Sequence, residues 1–396
     1  MSNKLLFVTT RYPKILGSAD SFTVYKLIEY FSKFYEIDLV CFEDESKTCE
    51  DQAKLEGLCN THLIKFRRIN SLLNVIFRFL NLKPMQVNYF YSKALNSKVE
   101  NLSKSNNYIF SYYHLIRAAQ YKTNDKSNSI LAMQTSFTLT YDRLLQTSID
   151  LITRIIYSIE KKLVTNYEKK IYKKFDLNLL ISEKDLMSIL NKNTHPRFFF
   201  SPHGIDVDAF SFKLPRRNSE KKIIFPANFS SAANKEAALW VLKEIIPKLR
   251  QNNFNSEVIF AGANPPKFLI EAAKHDELIT TTGFVKSMDE YIYKSGVLIN
   301  PVRVSAGLQN KVLMGMSMGI PVVTTRSSIE GMNLPDELIF SSSNDAVEFS
   351  AKIIEAFKVN HDKKIEILVS AREYVEKYWT WEFYLDQLHE KIKKLF

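Results

Sequence analysis

From residue 221 onward, short β-branched or apolar runs bounded by Gly, Pro or Asn alternate with segments of helical period. The pattern predicts strands at 221–228 (KKIIFPAN), 257–262, 279–285, 296–302 (GVLINPV), 320–325 (IPVVTT) and 337–342. Helices are predicted near 234–250, 266–275, 287–295, 308–318 and 344–358, and the tail from about 362 reads as helix to Phe396. The first half repeats the alternation less cleanly, with strands predicted at 4–10, 36–42, 62–67, 108–113, 129–134, 176–182 and 197–202 and one long helical stretch over 137–174. Apolar strands joined by helices predict parallel, doubly wound sheets, which bind ligands at the carboxyl ends of their strands. Between Ser201 and Ser219 the chain is rich in turn formers and loses its period, so the change of domain is expected there.

At 396 residues the chain is too long for one comfortable core, and 45% hydrophobic with 24% charged residues excludes a disordered or fibrous protein. Residues 1–200 hold 29 Lys+Arg against 19 Asp+Glu, which accounts for +10 of the net +11. Eight of the ten glycines lie between Gly204 and Gly331. The two halves are therefore expected to do different work. Cys41, Cys49 and Cys59 have neither CxxC spacing nor paired histidines nearby, which suggests a reducing compartment and neither a zinc site nor a disulfide framework. With no signal-peptide core and no membrane span in the sequence, the expected location is cytoplasmic.

The sequence lacks GxxxxGK[ST], a GxGxxG after a strand, and HExxH. Asp206 and Asp208 form a DxD, which in the interdomain turn reads as capping and turn formation ahead of metal binding. The informative stretch is 300–325, NPVRVSAGLQNKVLMGMSMGIPVVTT: a strand, a loop with Arg303 and Gly307, a helix with Lys311, and a second strand. A helix that begins beside a glycine offers free amides and the positive end of its dipole to a diphosphate, and Arg303 and Lys311 add charge. Gly307, Asn310 or Lys311, and Met314 share one helix face. Alternatively Gly307 simply ends a loop and Lys311 is solvated.

LQNKVLMGMSMGIPVVTT, with the upstream TTGFVKSMDEYIYKSGVLINPVR, resembles the donor domain of glycosyltransferase family 4, the retaining group-1 sugar transferases, and most of all their exopolysaccharide-associated type. FPANFSSAANKEAALWVLKEIIP, PHGIDVDAF, YEKKIYKKFDLNLLISEKD and the opening FVTTRYPKILGSADSFTVYKLIEYFS are similar to further family segments, so the resemblance spans nearly the whole chain and is thin from 45 to 160. It implies an α/β GT-B fold: two Rossmann-like, doubly wound domains facing across a cleft. The acceptor-side domain would be 1–200, the nucleotide-sugar donor domain 201–375, and 376–396 a helix returning to the first domain.

The resemblance further implies that backbone groups at Gly283, Phe284 and Val285 hold the base. Arg303, Gly307 and Lys311 would hold the diphosphate, with Leu308, Gln309 and Asn310 beside it. Gly17 and Ser18 would touch the sugar, with Asn228 also on the donor side. His114, after YIFSYY, is the candidate beside the reacting sugar, or else a buried histidine satisfied by backbone. Catalysis would rest on Arg303, Lys311 and His114, with no metal and no cofactor. The chain departs from the family at its paired glutamates, which are Ala306 and Met314 here. A thioether cannot accept hydrogen bonds as a carboxylate does, so ribose would be bound another way, through Asn310, Gln309 or Glu330, or turnover would be reduced.

From Thr61 to Pro84 the chain carries five basic and no acidic residues, with a helical stripe of Leu72, Leu73, Ile76, Phe77 and Leu80; a second run, 154–174, sets seven Lys+Arg against two Glu. Such helices either face a core with a charged rim or lie on an anionic membrane. No nucleic-acid module is recognisable. The expected activity is retaining transfer of a hexose-type unit from a UDP- or GDP-type sugar to a lipid-linked, lipopolysaccharide or capsule-type acceptor at the inner membrane face. The alternatives are a non-catalytic GT-B scaffold subunit and a GT-B nucleotide-sugar epimerase.

Overall fold

The computed structural model describes residues 3–15, 18–124, 127–147, 151–214, 221–303, 309–329, 332, 334–342 and 344–396. Packing divides the chain into two units, Met1–Pro202 together with Tyr384–Phe396, and His203–Phe383. In the first unit the strands are β1 (Lys4–Val8), β2 (Glu36–Phe42), β3 (Asn60–Ile64), β4 (Tyr108–His114), β5 (Asn128–Gln134), β6 (Leu177–Leu180) and β7 (Phe198–Phe200). In the second they are β8 (Lys222–Pro226), β9 (Glu257–Ala261), β10 (Ile279–Gly283), β11 (Val297–Asn300), β12 (Val322–Thr325) and β13 (Phe340–Ser342). Every predicted strand is present: most are shorter by one to three residues at their ends, β2 matches, β3 begins two residues early, and β4 and β5 run one residue longer. All pairings are parallel, in the orders β3-β2-β1-β4-β5-β6-β7 and β10-β9-β8-β11-β12-β13.

The strands are apolar on both faces because helices cover both sides. Leu5, Leu6, Phe7 and Val8 of β1 are all buried, as are Ile223, Ile224 and Phe225 of β8. Phe7 lies in register with Leu39 on one side and Tyr112 on the other, and its ring stacks on Tyr112 at 4.8 Å. Four clustered glycines mark close approaches. A Cβ on Gly204 would sit 2.1 Å from the backbone nitrogen of Trp381, and one on Gly315 would sit 2.6 Å from a Val322 methyl. Gly262 (φ +136°) and Gly319 (φ +77°) adopt backbone that other residues rarely take, the latter ending the helix Asn310–Met318.

Three helices differ from their prediction. The stretch 137–174 is two helices, Phe137–Thr147 and Leu151–Ile171, lying antiparallel, with Thr138 opposite Thr165 (Oγ1···Oγ1 3.0 Å) and Tyr141 against Tyr157. Helical period alone did not reveal that one helix ends at Thr147 and another begins at Leu151. The tail is likewise two helices, His361–Tyr378 and Trp381–Leu395, because Ile205 takes a backbone hydrogen bond from its amide to Trp379 and bridges to Thr380. The helix predicted at 234–250 contains a π turn, Val241–Ile245, just before Pro247, which has no amide to continue the ladder.

The long helix Leu151–Ile171 contributes two buried carboxylates. Glu160 accepts from the Met85 amide at 2.8 Å, at the start of the helix Met85–Tyr89. Glu168 accepts from the Phe137 amide (2.7 Å), the Thr138 amide (3.3 Å), Thr138 Oγ1 (2.6 Å) and Ser136 Oγ (3.2 Å), at the start of the helix Phe137–Thr147. Burial pushes the Glu168 carboxyl above its ordinary range despite these donors. A helix amino terminus needs such an acceptor because its first amides lack partners in the helix. Glu168→Ala leaves several buried donors unpaired and is expected to cost about 3 kcal/mol. Glu168→Gln keeps one acceptor and should cost less than half of that. Urea unfolding followed by circular dichroism checks both, and an alanine variant as stable as the native chain contradicts this role.

Candidate functional site

In the second sheet the chain leaves β8 toward β9 and reaches β11 on the opposite side, so the order reverses between β8 and β11. At the carboxyl ends of these two strands the connections part and leave an opening. From β11 come Asn300, Arg303 and the helix Asn310–Met318; from β8 come Asn228 and the helix Ala232–Trp240. Asn300 is fully buried and donates through its amide to Thr324 Oγ1 (3.1 Å) and Ser328 Oγ (2.8 Å), fixing the point where the β11 connection begins. The Ser327 hydroxyl donates to the Arg303 carbonyl at 2.8 Å.

The Arg303 guanidinium lies over the Trp240 ring at 4.7 Å and pairs with Glu236, Nε to Oε1 at 3.1 Å. Glu236 and Trp240 are four residues apart on one helix face, so a single side chain covers both. Lys311 points the same way, donating from Nζ to Asn234 Oδ1 at 3.2 Å and lying 4.8 Å above the Phe225 ring. Asn234 donates in turn to the Asn228 carbonyl at 2.8 Å, and Asn228 Oδ1 accepts from the Ser230 amide at 3.0 Å and the Asn264 amide group at 3.2 Å. Burial without an opposing carboxylate lowers the Lys311 ammonium to about 8. Lys311 is therefore not a solvated lysine. The structure brings Arg303, Lys311 and Asn228 together and adds Asn234, Glu236 and Trp240, which sequence reasoning missed. The i, i+4 pairing of Glu236 with Trp240 was the available signal.

Gly283 ends β10 with φ +67° and open space around its Cα; Phe284 is 79% exposed and Val285 partly so. Asn310 is exposed at the helix start, and Gln309 and Met314 are partly exposed. Gly17, Gly307, Leu308 and Glu330, together with Ala306, lie outside the described residues.

In the first sheet the order reverses between β1 and β4. There the Asp20 carboxylate joins the two connections, accepting from Arg11 Nη1 (3.1 Å) after β1 and from Arg117 Nη2 (2.6 Å) after β4, with Ser18 Oγ at 2.5 Å. Burial raises the Asp20 carboxyl, but the Ser18 hydroxyl, Arg11 and Arg117 outweigh it and hold it below the ordinary range. His114 ends β4, buried beside Tyr112, with ring centroids 6.2 Å apart. The structure thus gathers Ser18 and His114 at one strand edge and adds Arg11, Asp20 and Arg117.

The first basic amphipathic stretch does not face a core, and the second packs on the core through Val164, Ile171 and Tyr172 while leaving its amino-terminal turns exposed. In the helix Arg68–Phe77 only Ser71 is buried, while Ile69, Leu72, Ile76 and Phe77 are more than half exposed, as are Leu80 and Leu82 beyond it. Leu151, Ile152, Ile155, Ile156 and Ile159 are exposed along Leu151–Ile171. Contiguous exposed apolar surface on this scale marks an interaction face. No described helix is long and apolar enough to cross a membrane.

Residues 220–358 match the family model described as glycosyl transferases group 1. No curated protein matches the chain in sequence. Among solved structures, the Anabaena protein HepE in complex with UDP superposes with a TM-score of 0.65 at 11% identity, over 99% of this chain and 100% of that one. Sucrose-phosphate synthase from Thermosynechococcus elongatus gives 0.67 at 12% identity, over 99% of each chain. A UDP-forming α,α-trehalose-phosphate synthase from Burkholderia xenovorans gives 0.64 at 11%, over 100% of this chain and 99% of that one. The fold is the two-domain α/β GT-B fold.

Because burial disfavours the ammonium, Lys311 loses its proton as pH rises through about 8, while a solvated lysine holds it to about 10.4. Reductive methylation with a labelled methyl group and an NMR titration should show this low midpoint. Adding UDP should move it upward, because a diphosphate favours the charged amine. A Lys311 midpoint equal to that of the exposed lysines contradicts the environment described.

Proposed function

We propose that this chain is a retaining glycosyltransferase that moves a hexose-type sugar from a nucleoside diphosphate to a lipid-linked or lipopolysaccharide/capsule-type acceptor. The reading is carried by one observation: two cations from the β11 connection, Arg303 and Lys311, converge on the β8 connection at the reversal of strand order. That opening, beside the start of the helix Asn310–Met318, suits a diphosphate. The bond between the sugar's anomeric carbon and the diphosphate oxygen breaks, the acceptor oxygen bonds to that carbon, the hydroxyl proton passes to the departing diphosphate, and charge develops on that diphosphate as the bond breaks. Arg303 and Lys311 stabilise that charge in place, the role a metal plays elsewhere, and no cofactor is needed. The base rests near Gly283–Val285, and Ser18 and His114 belong to the sugar and acceptor side. The printed UDP complex of HepE makes UDP the first nucleotide to test.

The acceptor's lipid character, and peripheral residence at the inner face of the cell membrane, are supported by the exposed aliphatic face of the basic first unit. A scaffold without catalysis is the second reading, favoured by Met314, a thioether in place of the family's ribose-binding glutamate.

Arg303→Ala and Lys311→Ala are each expected to slow turnover at least about tenfold. Unchanged kinetics in the double variant eliminates the proposed chemistry. UDP or a UDP-sugar should raise the melting temperature by mass action, and calorimetry that finds no affinity for UDP or GDP assigns the chain to the scaffold. Leu72→Ser, Ile76→Ser and Phe77→Ser together should abolish flotation with vesicles containing phosphatidylglycerol, and undiminished flotation removes this helix from the membrane contact.

A further inference from the structure

Two cavities of the first unit lie side by side. One, of about 430 Å³, is lined by Lys83, Gln120, Lys122, Tyr167 and Lys174. The other, of about 680 Å³, shares Lys83, Tyr167 and Lys174 and continues over Leu82, Ile159 and Leu163. Lys174 stands three residues before β6, and Lys122 lies over the ring of Phe175 at 5.7 Å. The pair of cavities is therefore at the amino end of β6, whereas the Arg11–Asp20–Arg117 cluster is at the carboxyl ends of β1 and β4.

The first cavity has the charge of an anion site. Among the described residues no carboxylate pairs with Lys83, Lys122 or Lys174, and no acidic residue lines it. The Lys83 ammonium is pushed down by burial, then by the neighbouring positive charges of Arg78 and Lys174. The Tyr167 hydroxyl and Gln120 Oε1 are buried and lack hydrogen-bond partners, although Gln120 Nε2 donates to the carbonyls of Val87 (2.7 Å) and Arg117 (3.0 Å). Three cations beside two unsatisfied polar oxygens favour a ligand that carries negative charge and can both accept and donate hydrogen bonds. The second cavity adds Lys162 and Lys170 at its rim but has a largely apolar wall of Leu82, Ile159, Leu163 and Ile171, and it opens onto the exposed Leu82 and Ile159, with Ile155, Ile156 and Ile152 on successive turns beyond.

We propose that Lys83, Lys122 and Lys174 form a headgroup pocket for an anionic phospholipid of the membrane surface, with the lipid's acyl chains running over Leu82, Ile159 and the exposed isoleucines of Leu151–Ile171. The proposal rests on the membrane reading above and makes it specific, because it replaces a diffuse basic surface with one site. Charge complementarity selects a phosphate-bearing headgroup, and continuity with the aliphatic face selects a lipid over a free phosphate. The amino-end position separates this lipid from the reacting acceptor, which belongs at the carboxyl ends of the strands.

The test uses the full chain and sedimentation with phosphatidylcholine vesicles, with and without phosphatidylglycerol. The triple substitution Lys83→Ser, Lys122→Ser and Lys174→Ser should weaken binding to the anionic vesicles by at least about tenfold. Removing the same charge from elsewhere in the unit, by Lys93→Ser, Lys104→Ser and Lys192→Ser, should weaken it by much less. Equal losses in the two triple variants overturn the pocket while leaving the membrane reading standing. A native chain that ignores anionic vesicles defeats the membrane reading itself. Should the first variant fold poorly by circular dichroism, acetylation of the native chain decides: anionic vesicles should protect Lys83 and Lys174 more than Lys93 and Lys104, and uniform protection refutes the pocket.

Discussion

In each half of the chain the first strand lies inside an all-parallel sheet, and the connection out of it turns one way while the fourth strand returns on its other side. The polar clusters at the carboxyl ends of both sheets follow from that constraint. Two connections that part at the carboxyl end of a sheet leave backbone and side chains facing a gap that neither helix covers. In the second unit the gap brings Arg303 and Lys311 to Glu236 and Asn234, and in the first it brings Arg117 to Asp20. Strands buried on both faces hold the geometry, and burial of β1 and β8 leaves the sheets little freedom to shift register.

The first unit reverses a common arrangement on its long helix. Leu151–Ile171 turns Glu160 and Glu168 inward and a row of isoleucines outward. The inward carboxylates are tolerated because each finds the free amides at another helix's start, an exchange that satisfies both groups at once. Among the described residues the outward isoleucines have no such compensation. Apolar area left in water forgoes roughly 25 cal/mol for every Å² that could be buried, so the helix bears a cost that only an external partner removes.

The thirteen strands were legible because a run apolar on both faces has few other readings, and in the second half Gly, Pro or Asn punctuates the runs. Their order was not, since strand order depends on which helix crosses which face and no single segment encodes that. The chemistry was legible where a helix start and two cations coincide, as at Arg303 and Lys311. It was illegible where it depends on partners distant in sequence: Arg117 and Asp20 are 97 positions apart, and Lys311 and Asn234 are 77. The apolar stripe of Arg68–Phe77 left two readings open because a helical period is the same whether the stripe meets a core or water. The division between the helix ending at Thr147 and the one beginning at Leu151 was hidden for a similar reason, as both keep the same period.

The strengths of these contacts differ in a way that suits a site rather than a scaffold. Asn300 is fully buried and doubly bonded, and its loss would leave Thr324 and Ser328 to find new partners in a dry interior. Arg303 is held more loosely. Its pair with Glu236 is partly exposed, a setting in which an ion pair contributes at most about 1 kcal/mol, and the Trp240 face adds on the order of 1 kcal/mol more. Among the described residues Lys311 has an amide oxygen and the Phe225 ring as partners and no carboxylate, and it holds its charge weakly. A diphosphate there would bring more negative charge than Glu236, and among the described residues it would meet no carboxylate competing for Lys311. The contacts that now orient the two cations are therefore weak enough to be replaced by a ligand, while the buried bonds beneath them keep the connection in place during the exchange.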